Sequence, residues 1–249
     1  MPYSDPVIIT VIVAGLFFAG FVKGVVGLGF PLVALAFLLN VIGPTEALGL
    51  IVVPLFAANL VLIYQVGKPL PVIKRFWPLI AVLVITIFIS SRLTVILDAE
   101  LLLGILGACV VIFTSTSFFH PGANLSQRGE KWGGVLSGLI GGLTAGFSTV
   151  FGPPITMYFI MLKLEKDYFI RAVGVVWFSA SVPILLSYIE LGIVNKTNLI
   201  PAVLSCIPTG IGMWIGGLLR QKINQDLFRK TILVTLFLIG LNLIRRAFF

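Results

Sequence analysis

The sequence predicts an all-α polytopic membrane protein built from two inverted repeats of about five transmembrane elements each, with broken or half helices at two glycine-rich stretches. Three observations predict it. Of the 249 residues, 59% are hydrophobic and only 10% charged, against roughly 25% charged in an ordinary soluble domain. Charge-free runs cover residues 47–67, 101–127, 132–162 and 197–219, and a spanning helix needs roughly 20 apolar residues. Finally, residues 20–32, GFVKGVVGLGFPL, have a counterpart in residues 142–154, GLTAGFSTVFGPP, in which Gly20 falls on Gly142, Gly24 on Gly146 and Pro31 on Pro153. A transmembrane barrel would show segments of about ten residues alternating apolar and polar, and that alternation is absent.

In chain order the predicted elements are residues 7–22, 30–42, 45–66, 72–91 and 100–119, which form a first repeat over 7–119. A polar connection over 120–131 follows. The second repeat, 132–248, comprises residues 132–149, 153–162, 167–190, 198–219 and 227–248. The whole chain, 1–249, is read as one membrane domain. Glycine costs about 1 kcal/mol and proline about 3 in a helix interior, so both glycine-rich stretches should break. Accordingly, the second element of each set is too short to cross a core of roughly 30 Å. The halves also match where Glu46-Ala47-Leu48-Gly49 falls on Arg171-Ala172-Val173-Gly174 and Gln65-Val66-Gly67 on Glu190-Leu191-Gly192. Arg92, five residues, Asp98 repeats as Arg220, five residues, Asp226.

An odd number of crossings per repeat inverts the second half. With the N-terminus outside and ten crossings, the inner connections hold Lys68, Lys74, Arg75, Arg128, Lys131, Lys163, Lys166, Arg171, Arg220, Lys222, Arg229 and Lys230. The outer ones hold Arg92, Lys196, Arg245 and Arg246; Lys23, set apart as intramembrane, completes the 17 basic residues. Twelve against four obeys the positive-inside rule, so both termini should face outward. The first nine residues, MPYSDPVII, lack the basic region of a signal peptide, and the first apolar segment, needed for the repeat, is expected to be retained.

Several function classes find no support. The formal charge of +8 is scattered over short connections without interleaved aromatics, so no nucleic-acid partner is expected. Cys109 and Cys206 lie in apolar runs and read as packing residues. No His/Cys/Asp/Glu spacing suits a metal, and the single histidine, His120, sits at a surface turn beside proline. There is no Walker-type loop. The chain is therefore expected to be no enzyme, to need no cofactor or metal, and to draw on an ion gradient or its substrate's own.

Paired broken helices in inverted repeats mark many secondary transporters, with substrate sites near the midplane. Breaking a helix in the membrane frees N–H groups that need partners, and a helix N-terminus carries partial positive charge suited to an anion. Candidate substrate-binding residues are Lys23, Gly24, Gly27 and Gly29 in the first stretch and Ser148, Thr149, Gly152 and Pro153 in the second, with Asn59 inside the third element. Gly27 and Gly29 leave backbone open, Ser148 and Thr149 offer hydroxyl donors, and Pro153 sits where a missing N–H costs least. An intramembrane lysine is a functional-site hypothesis by default. Each has a plain alternative: the glycines serve close packing, Lys23 snorkels to an interface, and Asn59 bonds a neighbouring helix. Gln65 and Glu190 read as solvated or gating groups at the rim, and Trp177, Ser179 and Ser181 as lining or packing. Faces holding Gly210, Gly212, Gly216 and Gly217 could pack helices within a subunit or between two, which leaves a homodimer open.

At these two glycine stretches, in its length and in its two-half layout, the sequence resembles the TauE/SafE sulfite exporter family, also called the 4-toluene sulfonate uptake permease group. The resemblance implies a multi-pass permease of the plasma (inner) membrane that moves a small sulfur-containing anion, sulfite or an organosulfonate, usually outward and with the proton gradient. It places the family's glycines on Gly20, Gly24, Gly27, Gly29, Gly142, Gly146 and Gly152. The second stretch departs from the first, with Thr149, Phe151 and Ala145 where Gly27, Gly29 and Lys23 stand. The site enclosed by the two stretches should therefore be lopsided. A passive anion channel, and uptake of a related sulfonate or carboxylate, are the competing readings.

Overall fold

The computed structural model describes residues 5–27, 29–118, 127–219, 222 and 225–248. Every regular element among them is helical: α1 (Pro6–Val26), α2 (Phe30–Leu38), α3 (Pro44–Val66), α4 (Leu70–Ser90), α5 (Leu93–Ile96), α6 (Ala99–Phe118), α7 (Gln127–Ser148), α8 (Gly152–Met161), α9 (Lys166–Glu190), α10 (Leu199–Leu204), α11 (Cys206–Leu219) and α12 (Gln225–Phe248). Pro6–Val26, Pro44–Val66, Leu70–Ile96, Asp167–Glu190 and Leu199–Leu219 are long and apolar enough to cross a membrane. His120, Arg220 and most of the predicted connection over 120–131 lie outside the described residues.

Two expected helices prove to be interrupted. The one expected over 72–91 has non-helical backbone at Phe76 (φ −105°, ψ 20°), two residues before Pro78, and a short helix, α5, follows beyond its expected end. The one expected over 198–219 divides at Ser205 into α10 and α11. Both interruptions fall between prolines of identical spacing, Pro71 and Pro78 in one half and Pro201 and Pro208 in the other. Proline lacks the N–H that would bond the carbonyl four residues back and its ring crowds that carbonyl, so the same spacing breaks both segments.

The helices gather into two compact units: Met1–Leu55, Leu97–Phe118 and Gly192–Phe249 form one, and Phe56–Ile96 and Phe119–Leu191 the other. Neither follows a sequence half. In the first unit α1 packs on α11, with Phe17 and Gly20 beside Gly212 and Thr209, and Phe21 and Gly24 beside Gly216 and Met213. The numbering rises together, so the helices run parallel. Any side chain at Gly20, Gly24, Gly212 or Gly216 would strike a carbonyl of the opposing helix. Small residues thus let the two backbones meet, as membrane helices commonly require. α12 runs antiparallel to α6, with Gly104 against Phe248 and Gly107 against Ile244. The short α2 folds back along α1, setting Phe37 on Gly15.

The second unit repeats the scheme with other helices. α4 and α7 run parallel, Leu79 meeting Gly138, Leu83 meeting Gly142 and Ser90 meeting Gly146. α8 folds back along α7, so that Ile155 lies on Gly141 and the Tyr158 hydroxyl donates to the Glu130 carbonyl at 2.9 Å. α9 closes this unit against α4, and its Tyr168 joins Phe76, Tyr158 and Phe159 in an aromatic cluster with centroids 5.1–6.4 Å from Phe76.

Candidate functional site

The first glycine stretch breaks later than its composition predicts, and the second within one residue of the expected place. α1 continues through Gly20 and Gly24 and ends at Val26, because those two glycines are held against α11 inside a packed pair. Tertiary packing here overrides a propensity cost of about 1 kcal/mol per residue. The break comes at Gly27, which is left-handed (φ 86°) and whose N–H donates to the Lys23 carbonyl at 2.7 Å. Gly29, also left-handed (φ 90°), then opens α2 as its N-cap. α7 likewise continues through Gly142 and Gly146 to Ser148. Its break is at Thr149, left-handed at φ 59°, whose N–H donates to the Ala145 carbonyl at 2.8 Å. Gly27 and Thr149 are partners in the repeat, as are Lys23 and Ala145, so the two helices end with the same bond at the same register.

Threonine is β-branched and belongs poorly in left-handed backbone; such a residue persists only where its surroundings hold it. Here they do. Ending α7 at Ser148 deprives the Gly146 carbonyl of its helical partner, and two side chains take it over. The Tyr188 hydroxyl on α9 donates to it at 2.9 Å and the Thr94 hydroxyl on α5 at 3.2 Å. Ser90 donates to the Gly142 carbonyl one turn earlier, at 2.8 Å. Tyr188 and Ser90 are 0% and 1% exposed, where an unmet carbonyl would be costly. Sequence inspection missed this clamp, since its only trace is hydroxyl side chains inside otherwise apolar helices.

Lys23 lies in the last turn of α1 and is only 7% exposed. A cation there also complements the partial negative charge of a helix C-terminus. Seven residues on, α2 starts with no side-chain cap; Pro31 lacks a donor, so its first turn offers the N–H groups of Phe30 and Leu32. α8 is likewise uncapped by a side chain, and Pro153 and Pro154 leave Gly152 and Ile155 as its first-turn donors. The Ser148 hydroxyl donates to the Thr144 carbonyl and that of Thr149 to the Ser148 carbonyl, so both hydroxyl protons are engaged locally. Ser148 Oγ in turn accepts from the Val150 N–H at 3.2 Å.

Asn59 is fully buried and its side-chain amide donates to the Trp177 carbonyl on α9 at 3.3 Å, the helix-bonding role foreseen as its alternative. The Trp177 ring meets Phe151 edge-on at 5.4 Å and borders Gly152. The second unit therefore gathers Asn59, Trp177, Phe151 and Gly152 around the α7–α8 break. Lys23, Gly24, Gly27 and Gly29 all belong to the first unit. Gly24 serves the α1–α11 contact. Glu190 pairs with Arg92 at 3.6 Å on an exposed surface. Among the described residues no group of three or more His, Cys, Asp or Glu side chains could hold a metal ion.

Comparison with curated proteins and with solved structures finds no match. A family model does match, and it covers nearly the whole chain, both breaks and Lys23 included. Residues 12–243 fit the model described as sulfite exporter TauE/SafE, so this chain belongs to the TauE/SafE family of membrane transporters.

Proposed function

We propose that the chain is a secondary transporter that exports a small sulfur-containing anion, sulfite or an organosulfonate, across the plasma membrane and draws on the proton gradient. The observation that carries the anion reading is Lys23, a buried lysine one turn ahead of the left-handed break at Gly27, with the uncapped start of α2 beyond it. A lysine buried in a membrane segment is expensive unless it has a task, and first-turn N–H groups suit an anionic oxygen. Gly27 and Gly29 admit a ligand to the backbone, and Gly24 sets the position of α1. The break in the other unit is a second candidate by itself, with Gly152 at the α8 start, Pro153 fixing its direction and Ser148, Thr149 and Asn59 in the same unit. That half has no counterpart of Lys23, so the two breaks act unequally.

The inverted-repeat reading is supported by an exchange of partners. α1, first of one half, runs parallel to α11, fourth of the other, while α4 and α7 repeat the pairing with the halves exchanged. The two fifth elements, α6 and α12, lie antiparallel. Inverted-topology repeats exchange partners and directions in this manner. The ten-crossing arrangement, with both termini outside, requires all three directions.

Saturable flux of sulfite or a sulfonate into liposomes holding the purified protein is the expected result. Lys23→Ala should weaken binding at least tenfold, the worth of a hydrogen bond to a charged group, about 1.5–3 kcal/mol, and Lys23→Arg should retain part of it. Movement of a cation while neither anion binds or moves would overturn the reading. Flux that never saturates, shows no counterflow and ignores a proton gradient would establish the passive channel instead.

A further inference from the structure

Away from both breaks, the parallel pair α4 and α7 begins at one membrane surface, and the kink in α4 opens a cavity there. Its volume is about 220 Å³, and Arg75, Trp77, Glu130, Lys131, Gly134 and Tyr158 are among the residues that line it. Two features border the hollow. Pro78 cannot donate to the Lys74 carbonyl, and Phe76 departs from helical backbone, so the first turns of α4 do not continue its axis; on the facing helix Gly134 contributes no side chain. The volume falls below the roughly 300–1,000 Å³ of drug-sized pockets, which leaves room for a headgroup but not for a large ligand.

The cavity is cationic despite Glu130. Arg75 donates to both Glu130 oxygens, at 2.7 and 3.2 Å, and its guanidinium lies over the Phe76 and Tyr168 rings, 5.2 and 5.5 Å from their centroids. The carboxylate is thus neutralised by a fixed arginine that still has N–H groups beyond the two it uses. Lys131 on the rim and the neighbouring Lys74 are exposed and set the net charge. Around them Trp77 and Trp132 are 60% and 73% exposed, at the level where tryptophans anchor a helix to the membrane interface. Deeper along the same helices Leu136, Leu139 and Leu143 on α7 and Ile85 on α4 are also exposed, a path on which acyl chains can lie.

We propose that this cavity binds the phosphodiester of an anionic phospholipid, with Lys131 and Arg75 on the phosphate, Trp77 and Trp132 at the glycerol level, and the acyl chains along α7. A free phosphate would use the same cations but not the tryptophans or the apolar track. The site is independent of the transport reading and stands or falls separately.

The test uses the full chain in detergent and phosphatidylglycerol brominated on its acyl chains, which quenches nearby tryptophans. Brominated phosphatidylglycerol should quench saturably and at lower concentration than brominated phosphatidylcholine, and Trp77→Phe should remove much of the saturable part. Lys131→Gln, an exposed change that leaves the Arg75–Glu130 pair in place, should weaken this binding about fivefold, the effect of one surface cation on an anionic lipid. Lys196→Gln, remote on an exposed loop, should leave it unchanged. Equal quenching by the two lipids, or equal loss in both lysine variants, would overturn the proposal. Displacement of the lipid by millimolar inorganic phosphate would overturn it in favour of a free-phosphate site.

Discussion

Thr149 and Gly27 do the same backbone task with opposite chemistry, and substitutions at the pair separate conformation from packing. Nothing lies within 4 Å of where a Gly27 side chain would begin, so Gly27→Ala meets no steric obstacle. It should still lower stability by about 1 kcal/mol or more, because φ of 86° is unfavourable for an L side chain. Thr149→Gly should do the reverse and raise stability by about 1 kcal/mol, the low end of the strain carried by such a residue. Thermal unfolding of the two variants in one detergent measures both. Loss of stability on Thr149→Gly would mean that the hydroxyl bonds around Ser148 outweigh the strain. Tyr188→Phe belongs with this pair. It takes a donor from the buried Gly146 carbonyl and should cost about 1–3 kcal/mol, less if Thr94 compensates alone.

Among helices, the glycines sort themselves by what faces them rather than by composition. Gly212 and Gly216 oppose the carbonyls of Phe17 and Phe21, whereas Gly210 and Gly217 have nothing within 4 Å. Gly216→Leu should therefore force α1 and α11 apart and sharply reduce the yield of folded protein. Gly217→Leu, one residue on, should be tolerated, and size-exclusion chromatography of both variants checks this. A loss of oligomer confined to Gly217→Leu would place a second copy on that face. Sequence reading went far at this level: ten predicted elements lie where helices formed, and the pairing of residues 20–32 with 142–154 located both breaks. It failed on where the first stretch would turn, ending the element at residue 22 where α1 runs to Val26, while in the second an end at 149 and a restart at 153 lie one residue from those of α7 and α8. Gly20 and Gly24 look like helix breakers until the opposing carbonyls of Thr209 and Met213 are known, and a contact between residues so far apart in sequence leaves no local trace. The proline spacing that interrupts α4 and separates α10 from α11 acts locally, through the ring and the missing donor, yet residues 72–91 and 198–219 were each read as one continuous element. Thr94 and Tyr188 were not legible as a clamp, since each acts through a distant carbonyl.

For the chain as a whole, the direction of two helices bears on the proposed ten-crossing topology. α6 and α12 lie antiparallel, which requires an even number of crossings between them. In the proposed arrangement α7, α8, α9 and the segment formed by α10 and α11 supply four; without α8 there would be three, and the pair would be parallel. α8, with ten residues, rises about 15 Å, half of a core of roughly 30 Å, so in that arrangement the irregular backbone around Thr149 and Phe151 would complete the passage. Irregular backbone at that depth is tolerated only where protein or water surrounds it, and Val150 and Phe151 are indeed buried. If α2 and α8 both reversed without crossing, Lys68 would move to the outer side and Glu100 to the inner. Both are exposed, as is Lys196, so each can be replaced singly by cysteine after Cys109→Ala and Cys206→Ala. An impermeant thiol reagent applied to intact cells should then label the cysteines at positions 100 and 196, and reach the one at 68 only after permeabilisation. Labelling of position 68 from outside, with protection of position 100, would discard the ten-crossing arrangement and with it the inverted repeat. Retention of the predicted pattern would put the start of α6 and the end of α12 on the outer surface together, as the contact between Gly104 and Phe248 requires.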